Sequence, residues 1–265
     1  MLFIVGSSRT ASKAYMHLLN VHTHFNITRE LHLHKRKGPG CIKAKLKAFN
    51  SNKLDLGALA NELGQLSNAS YWKSDDFKPD GFKKFLAQKD FKKLSYSQLV
   101  DLLLEHDKLN NEKIQAGAKF PMHISFFPIL KNWYPKEKFI FLCRNPADVA
   151  FSQFNKHRLE KPTGRFIMLV YTAIMFNFTV LWGNLLKPKN SIFIPYELFK
   201  KDRQNVIQQL CEFLELRFNP AMLDLPILDS RIGQDKVLFR LKKLEKTLLI
   251  ILTFPFNVIY HKRKV

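Results

Sequence analysis

Arg9, Thr10, Ser12 and Lys13 crowd into the stretch GSSRTASK, directly after an apolar run that ends at Val5. A guanidinium, two hydroxyls and an ammonium at this spacing suit a phosphate or sulfate group. Gly6 permits a tight turn, and the amides that follow fall where a helix dipole is positive. A Walker A loop needs G-x-x-x-x-G-K-[ST]. Here Ala11 stands in the glycine place and Lys13 comes one residue late, so a nucleotide triphosphatase or kinase fits poorly.

A second set of residues lies far along the chain. KFIFLCRNPADVAFSQFNKH reads as a buried strand ending in Arg144, a turn at Asn145 and Pro146, and a helix carrying Ser152. Arg144 leaves the strand at its carboxyl end, where ligands of open α/β sheets bind. The plainer alternative pairs Arg144 with Asp148 and leaves Ser152 a neutral helix residue. A third segment, NSIFIPYELFKKDRQNVIQQLCEFLELRFNPAML, runs from a strand through Tyr196, Glu197 and Leu198 into a helix ending near Leu214. Nothing in it is obviously catalytic.

Together the three segments resemble the sulfotransferases that use 3'-phosphoadenosine 5'-phosphosulfate (PAPS). That family carries a GxPRSGTT-like strand–loop–helix, an RxPxDVxxS segment and a YEDL…LCEFLGLPFDP stretch, in this order. Here they read GSSRTASK, RNPADVAFS and YELF…LCEFLELRFNP, and the likeness runs from residue 1 to about 225. Ala11 and Lys13 depart from the usual Gly and Thr or Ser. The resemblance implies that Arg9, Thr10, Ala11, Ser12 and Lys13 surround the 5'-phosphosulfate. It likewise implies that Arg144 and Ser152 bind the 3'-phosphate, and that Lys119, matching the Lys of an EKTP-like bacterial segment, reaches the donor. PAPS is then the donor, adenosine 3',5'-bisphosphate (PAP) the product, and no metal takes part.

Sulfuryl transfer to a hydroxyl or amine also needs a base for the acceptor's proton. Two residues compete. Glu30 follows the arginine loop as the catalytic Glu does in protein-tyrosine sulfotransferases. His123, in GAKFPMHISFFP, matches the base His of cytosolic sulfotransferases. Glu30 is preferred, although it could simply neutralise the basic loop around Arg29, Lys35 and Arg36, and His123 could cap the following helix.

The elements that position these residues are legible in the apolar pattern. Leu2 to Val5, Phe139 to Cys143 and Ser191 to Ile194 are unbroken apolar runs, as in strands buried on both faces. The short stretch FNIT before Glu30 is strand-like too. Leu56, Leu59, Ala60, Leu63 and Leu66 repeat at helical spacing, as do Phe82, Phe85 and Leu86, and Leu99 to Leu104. Pro128 and Pro146 suit first helical turns, the latter behind an Asn145 N-cap. This alternation predicts an α/β three-layer sandwich with a central parallel sheet, opened by a P-loop-like strand–loop–helix. Residues 29–53, basic and Gly/Pro-interrupted, read as an irregular surface loop. Cys41, Cys143 and Cys211 lack metal-ligand spacing, and the last two read as buried thiols.

The chain has 43 Lys and Arg against 22 Asp and Glu, a net charge of +21. Such a field attracts polyanions, phosphorylated cofactors or anionic membranes. No recognised motif supports nucleic acid as a partner. A sulfotransferase domain is expected over 1–235, followed by a basic amphipathic segment at 236–265. There Lys236, Arg240, Lys242, Lys243 and Lys246 interleave with Val237, Leu238, Leu241 and Leu244, and only Glu245 opposes them. The apolar run Leu248 to Tyr260 is too short to span a bilayer, no run of 18 apolar residues is expected, and no secretory signal is visible. The tail therefore lies in the headgroup region of an anionic membrane or packs as a last helix. These readings point to a cytoplasmic enzyme, peripheral at the membrane where the tail binds it, acting on a small-molecule, lipid or carbohydrate acceptor. An inactive sulfotransferase-like binding protein is the alternative.

Overall fold

The computed structural model describes residues 1–28, 42–68, 78–89, 91, 93–224 and 240–262. Five strands, β1 (Leu2–Gly6), β2 (Phe25–Thr28), β3 (Gln115–Phe120), β4 (Lys138–Cys143) and β5 (Ser191–Pro195), form one parallel sheet of order β2-β3-β1-β4-β5, flanked by helices. This is the expected α/β class. The opening strand leads through residues 7–11 into α1 (Ser12–Val21). The chain divides into two compact units, residues 1–3 with 19–120, and residues 4–18 with 121–265.

The first unit carries α2 (Ile42–Asn50), α3 (Leu56–Asn68), α4 (Pro79–Ala87) and α5 (Tyr96–Asn110). Leu59, Leu63, Phe82, Leu86, Leu99 and Leu103 are buried, as their helical spacing predicted. Strand β2 pairs with β3 in parallel, Phe25 opposite Gln115 and Thr28 opposite Ala118. Asn26 on β2 donates to the Asp107 carboxylate of α5 at 2.8 Å, which satisfies two buried polar groups at once. One expectation fails here: α2 lies inside the stretch 29–53 read as an irregular loop. Its Leu46 is buried while Lys43 and Lys47 are exposed. Lysine is a good helix former, so an alternating Lys pattern concealed a helix. Residues 29–41 lie outside the described residues.

The second unit carries α6 (Phe127–Trp133), α7 (Pro146–His157), α8 (Pro162–Val180), α9 (Tyr196–Lys201), α10 (Arg203–Leu214), α11 (Lys243–Thr253) and α12 (Phe256–Lys262). Strand β4 pairs with β5 in parallel, Phe139 opposite Ser191. Phe127 meets Phe139 and Phe141 edge-on, with ring centres 5.1 and 4.8 Å apart. Cys143 and Cys211 are buried thiols, as expected. Helix α8 continues through a π-turn at Leu181–Leu185, and the whole Pro162–Leu185 helix is long and apolar enough to cross a membrane. No such stretch was anticipated, because Arg165, Thr172, Asn177 and Thr179 interrupt the apolar run. Its inner face packs on the protein, where Leu169 and Ala173 cluster with Ala150 and Phe154 of α7 and Leu249 of α11.

The tail is anchored by an ion pair. Arg165 donates to both Glu245 oxygens at 2.6 Å, and to the Arg240 carbonyl at 2.8 Å, with its guanidinium over the Phe154 ring. The hydrogen bonds from Arg165 hold the Glu245 carboxyl below its ordinary range. A carboxyl depressed in this way stabilises the fold fully above the ordinary carboxylate range, and loses that contribution as pH falls through its folded value. Glu245→Gln is therefore expected to cost about 2–3 kcal/mol at neutral pH. Urea titrations of both proteins should show the difference shrinking with acidification; a pH-independent difference would place the stabilisation elsewhere.

Candidate anion-binding site

Gly6 ends β1 with φ 145°, and a Cβ there would collide with the Leu142 carbonyl of β4. Only glycine fits. Beyond it the backbone turns left-handed at Arg9 (φ 66°) and Ala11 (φ 60°). These two bracket Thr10, which is buried and donates to the Ser7 carbonyl at 2.8 Å. The Ala11 carbonyl accepts from Ala14 N–H at 2.8 Å and starts α1. Amides in such a first turn lack intrahelical acceptors and attract anions, and α1 has no acidic residue there. The positive φ also explains why glycine is usual where Ala11 stands, since a left-handed alanine costs about 1 kcal/mol.

Arg9 reaches from this loop to α7, donating from Nε to Ser152 Oγ at 2.8 Å. Arg144 Nη1 donates to the Arg9 carbonyl at 3.4 Å. Gln153 donates to the Ser8 hydroxyl, which also shares a hydrogen bond with Tyr171 of α8. The stretches GSSRTASK and RNPADVAFS therefore meet side chain to side chain. Ser152 is not a neutral helix position. The Arg144–Asp148 pair is loose, 3.9 Å apart, with Asp148 mostly exposed. Arg144 Nε and Ser7 Oγ are buried without a hydrogen-bond partner among the described residues. Leaving a charged donor so placed is costly unless a ligand supplies the acceptor. Partial burial, Lys156 and Arg9 together hold the nearby His157 imidazole below its ordinary value.

The third segment proves to be a bracket for Arg144. The Tyr196 ring lies under its guanidinium, 4.5 Å from centre to carbon, within cation–π range. Glu197 accepts from Asn145 N–H at 2.8 Å, and the Tyr260 hydroxyl of α12 donates to its other oxygen. Burial, with Cys143 and Glu197 alongside, pushes the Tyr260 phenol far above its ordinary range, so it remains a donor. Asn145 itself caps α7, accepting from Ala147 N–H at 2.9 Å, as its place before Pro146 predicted. Sequence reasoning missed Ser8, Gln153, Tyr171, Tyr196 and Glu197. The one available signal was a Tyr-Glu pair at the very end of a buried strand.

Arg9, Arg144 and Ser152 are thus brought together. Ser12 is buried at the start of α1 and Lys13 is exposed. Lys119 is buried near the end of β3, in the first unit. His123 is buried in the 3-10 turn Pro121–Phe126 of the second unit. Glu30 lies outside the described residues; β2, which precedes it, ends at Thr28.

The profile of the Sulfotransferase family matches residues 2–220. The chain is similar to sulfotransferase 2A1 of Rattus norvegicus, with 29% identity over 119 residues, 41% of each chain. It is 27% identical to sulfotransferase 2A1 of Homo sapiens over 131 residues, 44% of this chain and 45% of the relative. The match spans less than half the length of these curated relatives. Among solved structures, the sulfotransferase domain from the Synechococcus PCC 7002 olefin synthase superposes with TM-score 0.57 at 17% identity, covering 97% of this chain and 94% of that domain. The sulfotransferase domain from the curacin biosynthetic pathway gives 0.53 at 22% identity, covering 84% and 76%. These structural likenesses concern the fold. The family profile takes in the Gly6 loop, Arg144, Ser152 and the Tyr196–Glu197 bracket, and the chain belongs to the sulfotransferase family.

Proposed function

We propose that this protein transfers the sulfuryl group of PAPS to a hydroxyl or amine acceptor. The observation that carries the reading is the junction of Arg9 and Arg144, which precede α1 and α7, with Ser152 on the second turn of α7. Two guanidiniums, hydroxyls and helix-start amides fit a ligand with two anionic ends, and the buried Arg144 Nε is a donor awaiting an acceptor. PAPS supplies the sulfuryl group and a phosphate leaving group.

The chain's own residues then divide the work. Arg144 and Ser152 hold the 3'-phosphate, and Tyr196 with Glu197 keeps Arg144 aimed. Arg9, with the backbone and side chains of Thr10, Ala11, Ser12 and Lys13, holds the 5'-phosphosulfate. Arg9 is always protonated and stabilises charge growing on the leaving oxygen. Lys119 adds a second cation to the donor. Glu30, with His123 as rival, takes the acceptor's proton. No metal is called for, PAP leaves as product, and the acceptor is a small molecule, lipid or carbohydrate met in the cytoplasm.

Calorimetry tests the donor assignment. Arg144→Ala should weaken PAP binding by roughly 2–3 kcal/mol, about 30–150-fold. Adenosine 5'-phosphosulfate lacks the 3'-phosphate and should bind mutant and wild type alike. Unchanged PAP affinity in the mutant would remove the assignment. Incubation with PAPS and an acceptor panel, read by mass spectrometry, separates a transferase from an inactive PAP-binding relative.

A further inference from the structure

We propose that the outward faces of α8 and α11 form a docking surface for an anionic lipid bilayer. Among the described residues, all the exposed large apolar side chains except Leu109, Ile114 and Ile129 lie between Phe166 and Leu186 or between Leu244 and Val258. On α8, Ile167, Ile174 and Phe178 follow one another at spacings of seven and four, so they share the stripe opposite buried Leu169, Ala173 and Phe176. Helix α11 runs against α8, with Leu249 packed in the same core cluster and Asn177 donating to the Leu252 carbonyl at 2.9 Å. It turns Ile251 and Phe254 outward, 65% and 66% exposed. Each helix spends one apolar face on the protein and leaves a second uncovered. Apolar patches concentrated in this way mark interaction surfaces.

Charge decides what covers this one. Residues 161–189 contain no carboxylate, and residues 240–262 contain only Glu245, which Arg165 occupies. Lys161, Lys187, Lys189, Lys242, Lys243 and Lys246 are all exposed. A second copy of the chain would bring the same lysines to the contact, and a net charge of +21 opposes that pairing. An anionic bilayer satisfies both features. The apolar side chains enter the headgroup–acyl boundary while lysines stay among the lipid phosphates. Helix α8 does not need to cross the bilayer, because its inner face is part of the protein core. The surface is therefore wider than the 236–265 tail, of which residues 236–239 and 263–265 lie outside the described residues. It includes the helix whose Tyr171 bonds Ser8 of the anion loop, and it does not depend on the catalytic reading.

The test is co-sedimentation of the full chain with phosphatidylcholine vesicles, with and without about one-third phosphatidylserine, at low and high salt. Wild type should pellet with the anionic vesicles only, and less at high salt. Ile174→Glu on α8 and Ile251→Glu on α11 should each weaken binding at least tenfold, with circular dichroism and thermal midpoint unchanged. Ile167→Glu is a second α8 variant if Ile174→Glu disturbs the fold. Wild type that ignores both vesicles overturns the proposal and leaves an acidic protein as the partner. Loss confined to Ile251→Glu overturns it as well, and returns the contact to the tail alone.

Discussion

Replacing Arg9 by alanine is expected to lower turnover about 10²–10³-fold, the scale of one lost donor to a developing oxyanion. The expectation rests on how firmly the side chain is held. Its Nε is fixed by Ser152 Oγ at 2.8 Å, and its own carbonyl by Arg144. A guanidinium so fixed keeps its remaining edge in one direction and need not reorganise as charge develops. Arg9→Lys should recover little, because an ammonium cannot bond Ser152 and present a planar fork at once. Ser152→Ala loosens the same fork and, on the proposed assignment, also removes a hydroxyl that meets the 3'-phosphate, so it should reduce both turnover and PAP affinity. Single-turnover assays with PAPS, paired with PAP calorimetry, separate these effects. If Arg9→Ala weakens PAP binding and leaves the single-turnover rate intact, Arg9 is a binding residue only.

The residues proposed to bind the donor were legible because their type and order are distinctive, whereas the residues that hold them in place were not. Arg9, Arg144 and Ser152 stand in recognisable stretches. The bracket of Tyr196, Glu197 and Tyr260 depends on a contact 63 residues apart, between a strand end and a tail that looks like ordinary apolar helix. Strands β1, β4 and β5 were visible because burial on both faces leaves no polar alternation. Strand β3, QAGAKF, was not. Its Gly117 faces the Leu2 carbonyl and the Ile27 side chain with no room for a Cβ, so close backbone approach replaced the bulky residues that announce a strand. Helix α8 is apolar nearly all round, and only packing reveals which stripe the protein buries. For that reason the sequence directed attention to the basic tail alone.

Glu30→Gln is expected to lower turnover about 10²–10⁴-fold while PAP affinity stays close to wild type. Glutamine keeps the size and the acceptor oxygen of the carboxylate but cannot take a proton. In parallel sheets ligands gather beyond the carboxyl ends of the strands. Gly6 and its loop follow β1 there, and Arg144 follows β4. Glu30 comes two residues after the end of β2, and His123 three residues after the end of β3. Their places in the chain alone do not choose between them. The surroundings of His123 weigh against it. His123 is only 2% exposed and sits within a short 3-10 turn. A base must come within about 2.6–3.2 Å of the acceptor's proton, which a buried side chain held in a short turn does less readily than an exposed one. His123→Gln, chosen over alanine to avoid opening a cavity, should therefore retain most turnover, with the thermal midpoint reporting any packing cost. The opposite pattern, with near-normal Glu30→Gln and a dead His123→Gln that still binds PAP, would exchange the two roles.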